Sequence, residues 1–404
     1  MSEHATSLIR PLDQSRELTR RYILYVLMGF GLIVIPVLYL AGIISIETVN
    51  RLGRYMTFAI MAIGLDLVWG YTGILSLCQM FFFCLGGYAM GMYLAHHGGP
   101  EGIVDAAGWK IPACLYVVYP YAVGEAPGDA LVPWFWKPFW SLPVTVLLGL
   151  AIPAAIAFVI GWFGFRSRVR GVYFAILTQA ITVGAFNFFS MNNMKFCGTN
   201  GLTRFERIGG RFHLTDAGVQ LTLYLVTAAA LVGVYALCRY IVKSRLGRIL
   251  IAVRDDENTL RFSGYKPYNY KLFAFVLGAA IAGLGGMLYV PQMKIITPWD
   301  MEASMSILVV VWVAVGGRGT LSGAVLGTLS VLLLKNFLTS EHELLFFLQS
   351  VVSESVYNKM VWKAEYWQFV LGGLFIGVVL FFPDGLIRLW HRLVGQPKTG
   401  TYGT

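Results

Sequence analysis

"SRLGRILIAVRDDENTLRFSGYKPYNYK" occupies residues 244–271, and "LFAFVLGAAIAGLGGMLY" follows it at 272–289. The first stretch carries six basic side chains and three acidic ones, and the second carries none. An apolar run such as 271–293 is long enough to cross a bilayer, which takes roughly 20 residues. A short charged element joined directly to a spanning helix is the pattern of a membrane protein with one worked-out surface.

The rest of the chain repeats the contrast. Hydrophobic residues make up 57% of the 404, and charged residues only 13%, about half the share of a soluble domain. The expected fold is therefore an all-α integral membrane protein. It is a polytopic bundle of about ten transmembrane helices, some of them short, broken or re-entrant. Apolar runs stand at about 22–44, 54–70, 73–95, 141–164, 171–190, 219–241, 271–293, 305–317, 320–337 and 366–384. The second and eighth are short, and non-helical backbone at membrane depth is tolerated only under protein or water cover. Residues 1–21 and 385–404 read as polar tails, 22–384 as the transmembrane domain, 96–140 as an insert on one face and 242–270 as helices on the other. The run from Tyr22 is too long for a signal-peptide core, so it reads as a retained first span.

Net charge is +10. The basic residues do not interleave with aromatics as in a nucleic-acid surface. Most gather in one set of loops: Arg10, Arg16, Arg20 and Arg21; Arg166, Arg168 and Arg170; the 244–271 stretch; Arg318; and Arg388, Arg392 and Lys398. That bias places this face, and both termini, in the cytoplasm, and excludes nucleic acid as a partner. The five cysteines (Cys78, Cys84, Cys114, Cys197, Cys238) form no CxxC pair and read as buried side chains, not as a metal site or disulfide frame. Across the bilayer, "LVPWFWKPFW" (131–140) reads as a headgroup-level aromatic anchor or a docking lip. Small residues four apart (Gly87–Gly91, Ala279–Gly283, Ala282–Gly286, Gly319–Gly323, Gly323–Gly327) predict close helix packing in lipid.

Within 244–253, Leu246, Ile249, Leu250 and Val253 fall at helical spacing and give one apolar face. Ser244 is a plausible N-cap; Asp255 or Asp256 can cap a second short helix, with Glu257 in its first turn. Gly264 suits the position after its end, and Pro267 follows. A helix resting on lipid should be basic along its whole polar face, so the acidic cluster favours contact with a protein.

This stretch and the helix after it resemble the cytoplasmic coupling motif of ABC importer permeases of the branched-chain amino acid and urea type. Ser244, Gly247, Arg248, Ala252, Arg254, Glu257, Gly264, Lys271, Phe275, Ala282, Gly283, Gly286 and Tyr289 carry the resemblance. "GLDLVWGYTGILSLCQMFFFCLGGYAMGMYLA" (64–95), "RGVYFAILTQAI" (170–181), "GTNGL" (198–202), "GGRGTLSGAVLGT" (316–328) and "FFPDGL" (381–386) extend it. The resemblance implies a bacterial inner-membrane permease subunit with no enzymatic activity and no cofactor of its own. It implies a homologous permease partner, two ABC ATPase subunits that use the ATP, and an external solute-binding protein. The chain agrees in lacking GxxxxGK[ST]. The residues implied for ATPase coupling are Arg248, Arg254, Asp255, Asp256, Glu257 and Gly264.

Gln179, the aromatic insert and "NNMKFCGTNGLT" (192–203) are similar to the urea branch, so urea is the expected cargo, with branched-chain amino acids or short amides as the alternative. A neutral, planar solute needs amides and hydroxyls, not fixed charge. Thr178 and Thr182 share a helix face with Gln179 beside them; Gln79 and Asn187 add amides, and Asp66 is an acid within a span, a functional candidate by default. The same groups also suit interhelical hydrogen bonding. A self-sufficient secondary transporter or urea channel would instead need several intramembrane acids and inverted repeats.

Overall fold

The computed structural model describes residues 30–98, 132–167, 171–203 and 205–339, with isolated positions at 112, 115, 369, 372, 373, 376 and 377. The expected span 366–384, the 338–365 loop beyond Thr339, most of the 96–140 insert, both tails, and Arg168 and Arg170 lie outside the described residues.

Helices dominate what is described. They are α1 (Ile35–Leu40), α2 (Ile46–Thr72), α3 (Gln79–Gly98), α4 (Leu142–Arg166), α5 (Val172–Ser190), α6 (Ala217–Lys243), α7 (Arg245–Asp255), α8 (Glu257–Phe262), α9 (Pro267–Met293), α10 (Ala303–Gly316) and α11 (Leu321–Thr339). Six of them, α2, α4, α5, α6, α9 and α11, are long and apolar enough to cross a membrane. A two-residue antiparallel pair, β1 (Arg207–Ile208) with β2 (Phe212–His213), is the only sheet among the described residues.

Two expected boundaries move. The short run at 54–70 is in fact the 27-residue α2, which starts at Ile46, where Ser45 Oγ accepts from the Thr48 amide at 3.3 Å. Hydropathy misses its first two turns because they carry Glu47 and Arg51. The third run does not begin as a helix at Gly73. Gly73 ends α2 in a left-handed conformation (φ +78°), and helix resumes only at Gln79. The break between them is real backbone irregularity. α10 keeps its expected shortness: 14 residues span roughly 21 Å, less than the ~30 Å hydrocarbon core.

α9 is the axis of the bundle, packed against α2, α3 and α4. Its glycines permit this. A Cβ on Gly86 of α3 would overlap the Gly283 carbonyl, and one on Gly286 would overlap the Phe83 carbonyl. Lipid offers no hydrophobic drive between helices, so such backbone contact is what holds them. Phe58, Phe83 and Tyr289 fill the space beside it, with ring centroids 5.2–5.4 Å apart. In the most apolar windows of α2 and α9, 72% and 67% of residues are buried, against 28% in α4 and α5. The last two therefore present the outward faces.

The chain thus has a hairpin end, where α7 and α8 lie, and a far end. The far end carries packed aromatics. Trp136 is fully buried, its Nε1 donating to the Lys195 carbonyl at 3.2 Å, while its own carbonyl lies 3.0 Å from His96 Nε2. Trp134, by contrast, is 80% exposed. One cysteine expectation is corrected here: Cys197, at this end, is disulfide-bonded. Cys78, Cys84 and Cys238 are free and buried as expected.

Candidate functional site

The α7–α8 hairpin forms as its pattern predicts, with one change. Leu250 and Val253 are buried under α7 and Gly247 sits against the Val242 carbonyl, so the apolar face is docked. Ser244 precedes α7, but its hydroxyl donates back to the Ile241 carbonyl at 2.6 Å and does not cap the helix. Asp256 is the working cap: it accepts from the Asn258 and Thr259 amides at 2.9 and 3.2 Å and from the Thr259 hydroxyl. Those bonds hold its carboxyl below the usual aspartate value. Gly264 closes the hairpin at φ +85°, a conformation that suits glycine.

The charged residues divide by direction. Arg248 and Asp255 are exposed. Glu257 turns inward: its carboxylate takes Arg261 at 2.5 Å on its own helix and Lys271 at 2.7 Å on α9. It fastens the hairpin to the central helix. Arg254 reaches past the hairpin to the Gly70 carbonyl at 2.9 Å, near the end of α2. The adjacent Trp69 carbonyl accepts from Arg318 at 3.1 and 3.2 Å, and Arg318 also lies 4.9 Å over the Trp69 ring. Asp66, fully buried, accepts from the Gly319 amide at 2.7 Å. Partial burial and the nearby Arg254 charge lower the Arg318 pKa, and Asp66 opposes them. Asp66 therefore joins α2 to the α10–α11 turn beside the hairpin. Sequence reasoning missed Phe262, 92% exposed at the end of α8; an aromatic just before the capping glycine was the available signal.

The remaining path candidates make no hydrogen bond to Asp66 among the described residues. Thr178 and Thr182, both fully buried, serve the irregular 73–78 backbone: the Leu77 amide donates to Thr178 Oγ1 at 3.0 Å, and Thr182 Oγ1 donates to the Leu77 carbonyl at 3.1 Å. Gln79 is buried nearby with neither amide atom partnered among the described residues, and Gln179 Oε1 is likewise without a partner. Asn187 is exposed, further along α5.

At the far end a cavity of about 710 Å³ opens between the first turns of α2, the start of α6 and the ends of α9 and α11. Its polar lining includes Glu47, Asn50, Arg51, Arg54, Lys294 and Asn336. Glu47, Arg51 and Arg54 are spaced i, i+4, i+7, one face of a helix; that periodicity is legible, but the expected run at 54–70 starts only at Arg54. Among the described residues no group of three or more His, Cys, Asp or Glu could hold a metal.

The description of the branched-chain amino acid transport system permease component matches residues 48–379. The chain belongs to this family. By that family it is a transport permease component. It is similar to the high-affinity branched-chain amino acid transport system permease protein LivM of Escherichia coli K12, 24% identical over 377 residues, covering 88% of this chain and 72% of that protein. LivM of Salmonella typhimurium is 26% identical over the same shares. The ribose import permease RbsC of Escherichia coli K12 is 24% identical over 227 residues, 55% of this chain and 65% of that protein. No solved structure matches the chain. Nothing among these family relatives supports the expected urea cargo; they fit the amino-acid alternative better.

Proposed function

We propose that this chain is the permease subunit of an ATP-driven importer for branched-chain amino acids, working with a homologous permease, two ABC ATPase subunits and an external binding protein in a bacterial inner membrane. The observation that carries the reading is the way the hairpin is attached. It offers Arg248, Asp255 and Phe262 to a partner, while Glu257 and Arg254 tie it to α9 and α2. A force on the hairpin would reach two of the most buried helices of the bundle without passing through a flexible linker.

The hairpin end is the cytoplasmic one in this reading, and the termini lie on that side. The bonded Cys197 supports the assignment, because disulfides persist in oxidising compartments and it sits at the far end. The substrate rests on the LivM relatives. The three features that suggested urea have structural uses: residues 192–203 and Trp136 belong to the far end, and Gln179 neighbours the threonines that secure Leu77. Asp66, Gln79, Thr178, Gln179, Thr182 and Asn187 stay candidates for lining or shaping the path.

Uptake of labelled leucine, urea and ribose in cells with and without this chain tests the cargo. Leucine accumulation that depends on the chain supports the reading; dependence of urea alone overturns it. Cross-linking from a cysteine at Ser263 tests the lever, and a Ser263→Cys variant that never reaches an ATPase subunit removes it.

A further inference from the structure

We propose that the far-end cavity is a binding station for a zwitterionic α-amino acid, with Arg51 and Arg54 taking its carboxylate and Glu47 its ammonium group. This rests on the amino-acid reading above and adds a place and a chemistry to it. The cavity's volume, about 710 Å³, falls within the range of ligand pockets. Its charges are arranged along one face of α2, so Glu47 and Arg51 stand about one turn, roughly 6 Å, apart along the axis. The two charged groups of an α-amino acid sit on the same carbon, so one helical turn with long side chains can meet both.

The groups are also unspent. Arg51 gives one nitrogen to the neutral Asn336 Oδ1 at 2.9 Å, and Arg54 gives one to Met293 Sδ, a weak acceptor, at 3.0 Å. Arg54 Nε and Asn50 Oδ1 are buried without a hydrogen-bond partner. Glu47 is the one carboxylate among the described lining residues, against Arg51, Arg54 and Lys294. A carboxylate ligand would satisfy the guanidinium groups by charge-assisted, bidentate bonds. Phe58 and Tyr289, with centroids 5.2 Å apart, and Tyr55 supply an apolar wall for an aliphatic side chain. Urea or ribose, uncharged, would offer the guanidinium groups no carboxylate and Glu47 no ammonium group.

The test uses the assembled importer in intact cells. Asn50→Cys places a thiol at the cavity, and a negatively charged methanethiosulfonate reports its accessibility; the free native cysteines are buried. Leucine should slow the modification about tenfold, 4-methylpentanoate and isoamylamine, which each lack one charge, much less, and urea not at all. Adding Arg54→Gln should abolish protection by leucine and by 4-methylpentanoate. Adding Glu47→Gln should make leucine no better than 4-methylpentanoate. Gln220→Cys, on the opposite wall, repeats the measurement if the first thiol disturbs insertion. Modification indifferent to leucine, or slowed equally by urea, overturns the station. So does an Arg54→Gln chain that transports poorly while leucine still protects, since the arginine would then serve a docked protein. A chain that supports no amino-acid uptake sinks the functional reading itself; uptake without protection sinks only the station.

Discussion

At the Thr72 end of α2, Arg254 and Arg318 arrive from other elements and donate to the carbonyls of Gly70 and Trp69. At the Ile46 end, Arg51 and Arg54 grow from α2 itself and face a cavity, Arg54 with its Nε unpartnered. The last carbonyls of a helix have no intrahelical donors, and cations there meet the negative end of the helix dipole. Arg254 therefore completes α2 at Gly70, and Arg318 adds a second donor to the Trp69 carbonyl, which already takes the Gly73 amide at 3.2 Å. The second pair sits near the helix's positive end, where the dipole gives a cation nothing, so an anion from outside is the fitting complement. The difference teaches that arginines near a membrane surface must be sorted by what the backbone beside them still needs.

The sharpest way to break the comparison is at the hairpin, where the largest effects are expected. Glu257→Lys puts a third cation beside Arg261 and Lys271, and Gly264→Val forces a branched residue to φ +85°, a strain of about 1–3 kcal/mol. Both should abolish transport while the chain still inserts, as followed by membrane fractionation and uptake. Normal uptake in either would mean the hairpin is not the lever.

The same substitution at the two ends gives the next contrast. Arg254→Gln leaves the Gly70 carbonyl without its cationic donor and should lower the stability of the detergent-solubilised complex by about 1–2 kcal/mol, while uncoupling ATP hydrolysis from transport. Arg54→Gln should change stability by less than about 1 kcal/mol, since it removes one weak bond to Met293 and one orphaned group. Equal thermal shifts in the two variants would erase the distinction.

Thr178→Val tests the seam between α5 and the 73–78 break. It strands the Leu77 amide in a buried place, at a cost of about 1–3 kcal/mol. A lowered melting temperature with unchanged substrate preference makes this threonine a support; altered preference at unchanged stability returns it to the path.

The hairpin was legible because its signals are local: helical spacing of Leu250 and Val253, an acidic cap and a glycine before Pro267 all act within a few residues. The polytopic helical fold was legible because lipid leaves few alternatives. The start of α2 was not. A hydropathy window treats Glu47, Arg51 and Arg54 as the edge of a span, although they continue the same helix and point where a cavity needs them. The work of Thr178 and Thr182 was hidden as well, since their partner, Leu77, lies on an irregular segment about a hundred positions away, and nothing in a 3.6-residue period encodes that pairing.

The smallest effect concerns the cap itself. The bonds Asp256 receives from the Thr259 hydroxyl and amide, and from the Asn258 amide, favour its charged form, so its folded pKa lies below the ordinary 3.8. A carboxylate with a depressed folded pKa contributes its stability above the unfolded value and loses it as pH falls through the folded one. The cap is therefore intact at neutral pH and released only under acid, below the ordinary aspartate value. Because Asp256 is solvent-exposed, its loss should fray α8 without unfolding the bundle. Amide exchange at Asn258 and Thr259 reads this directly: protection, corrected for intrinsic rates, should drop as pH falls below that point. In Asp256→Asn, protection should be weaker throughout and flat with pH. Acid-dependent fraying that persists in the asparagine variant would move the titrating group elsewhere in the hairpin, with Glu257, shared between α8 and α9, the next carboxylate to test.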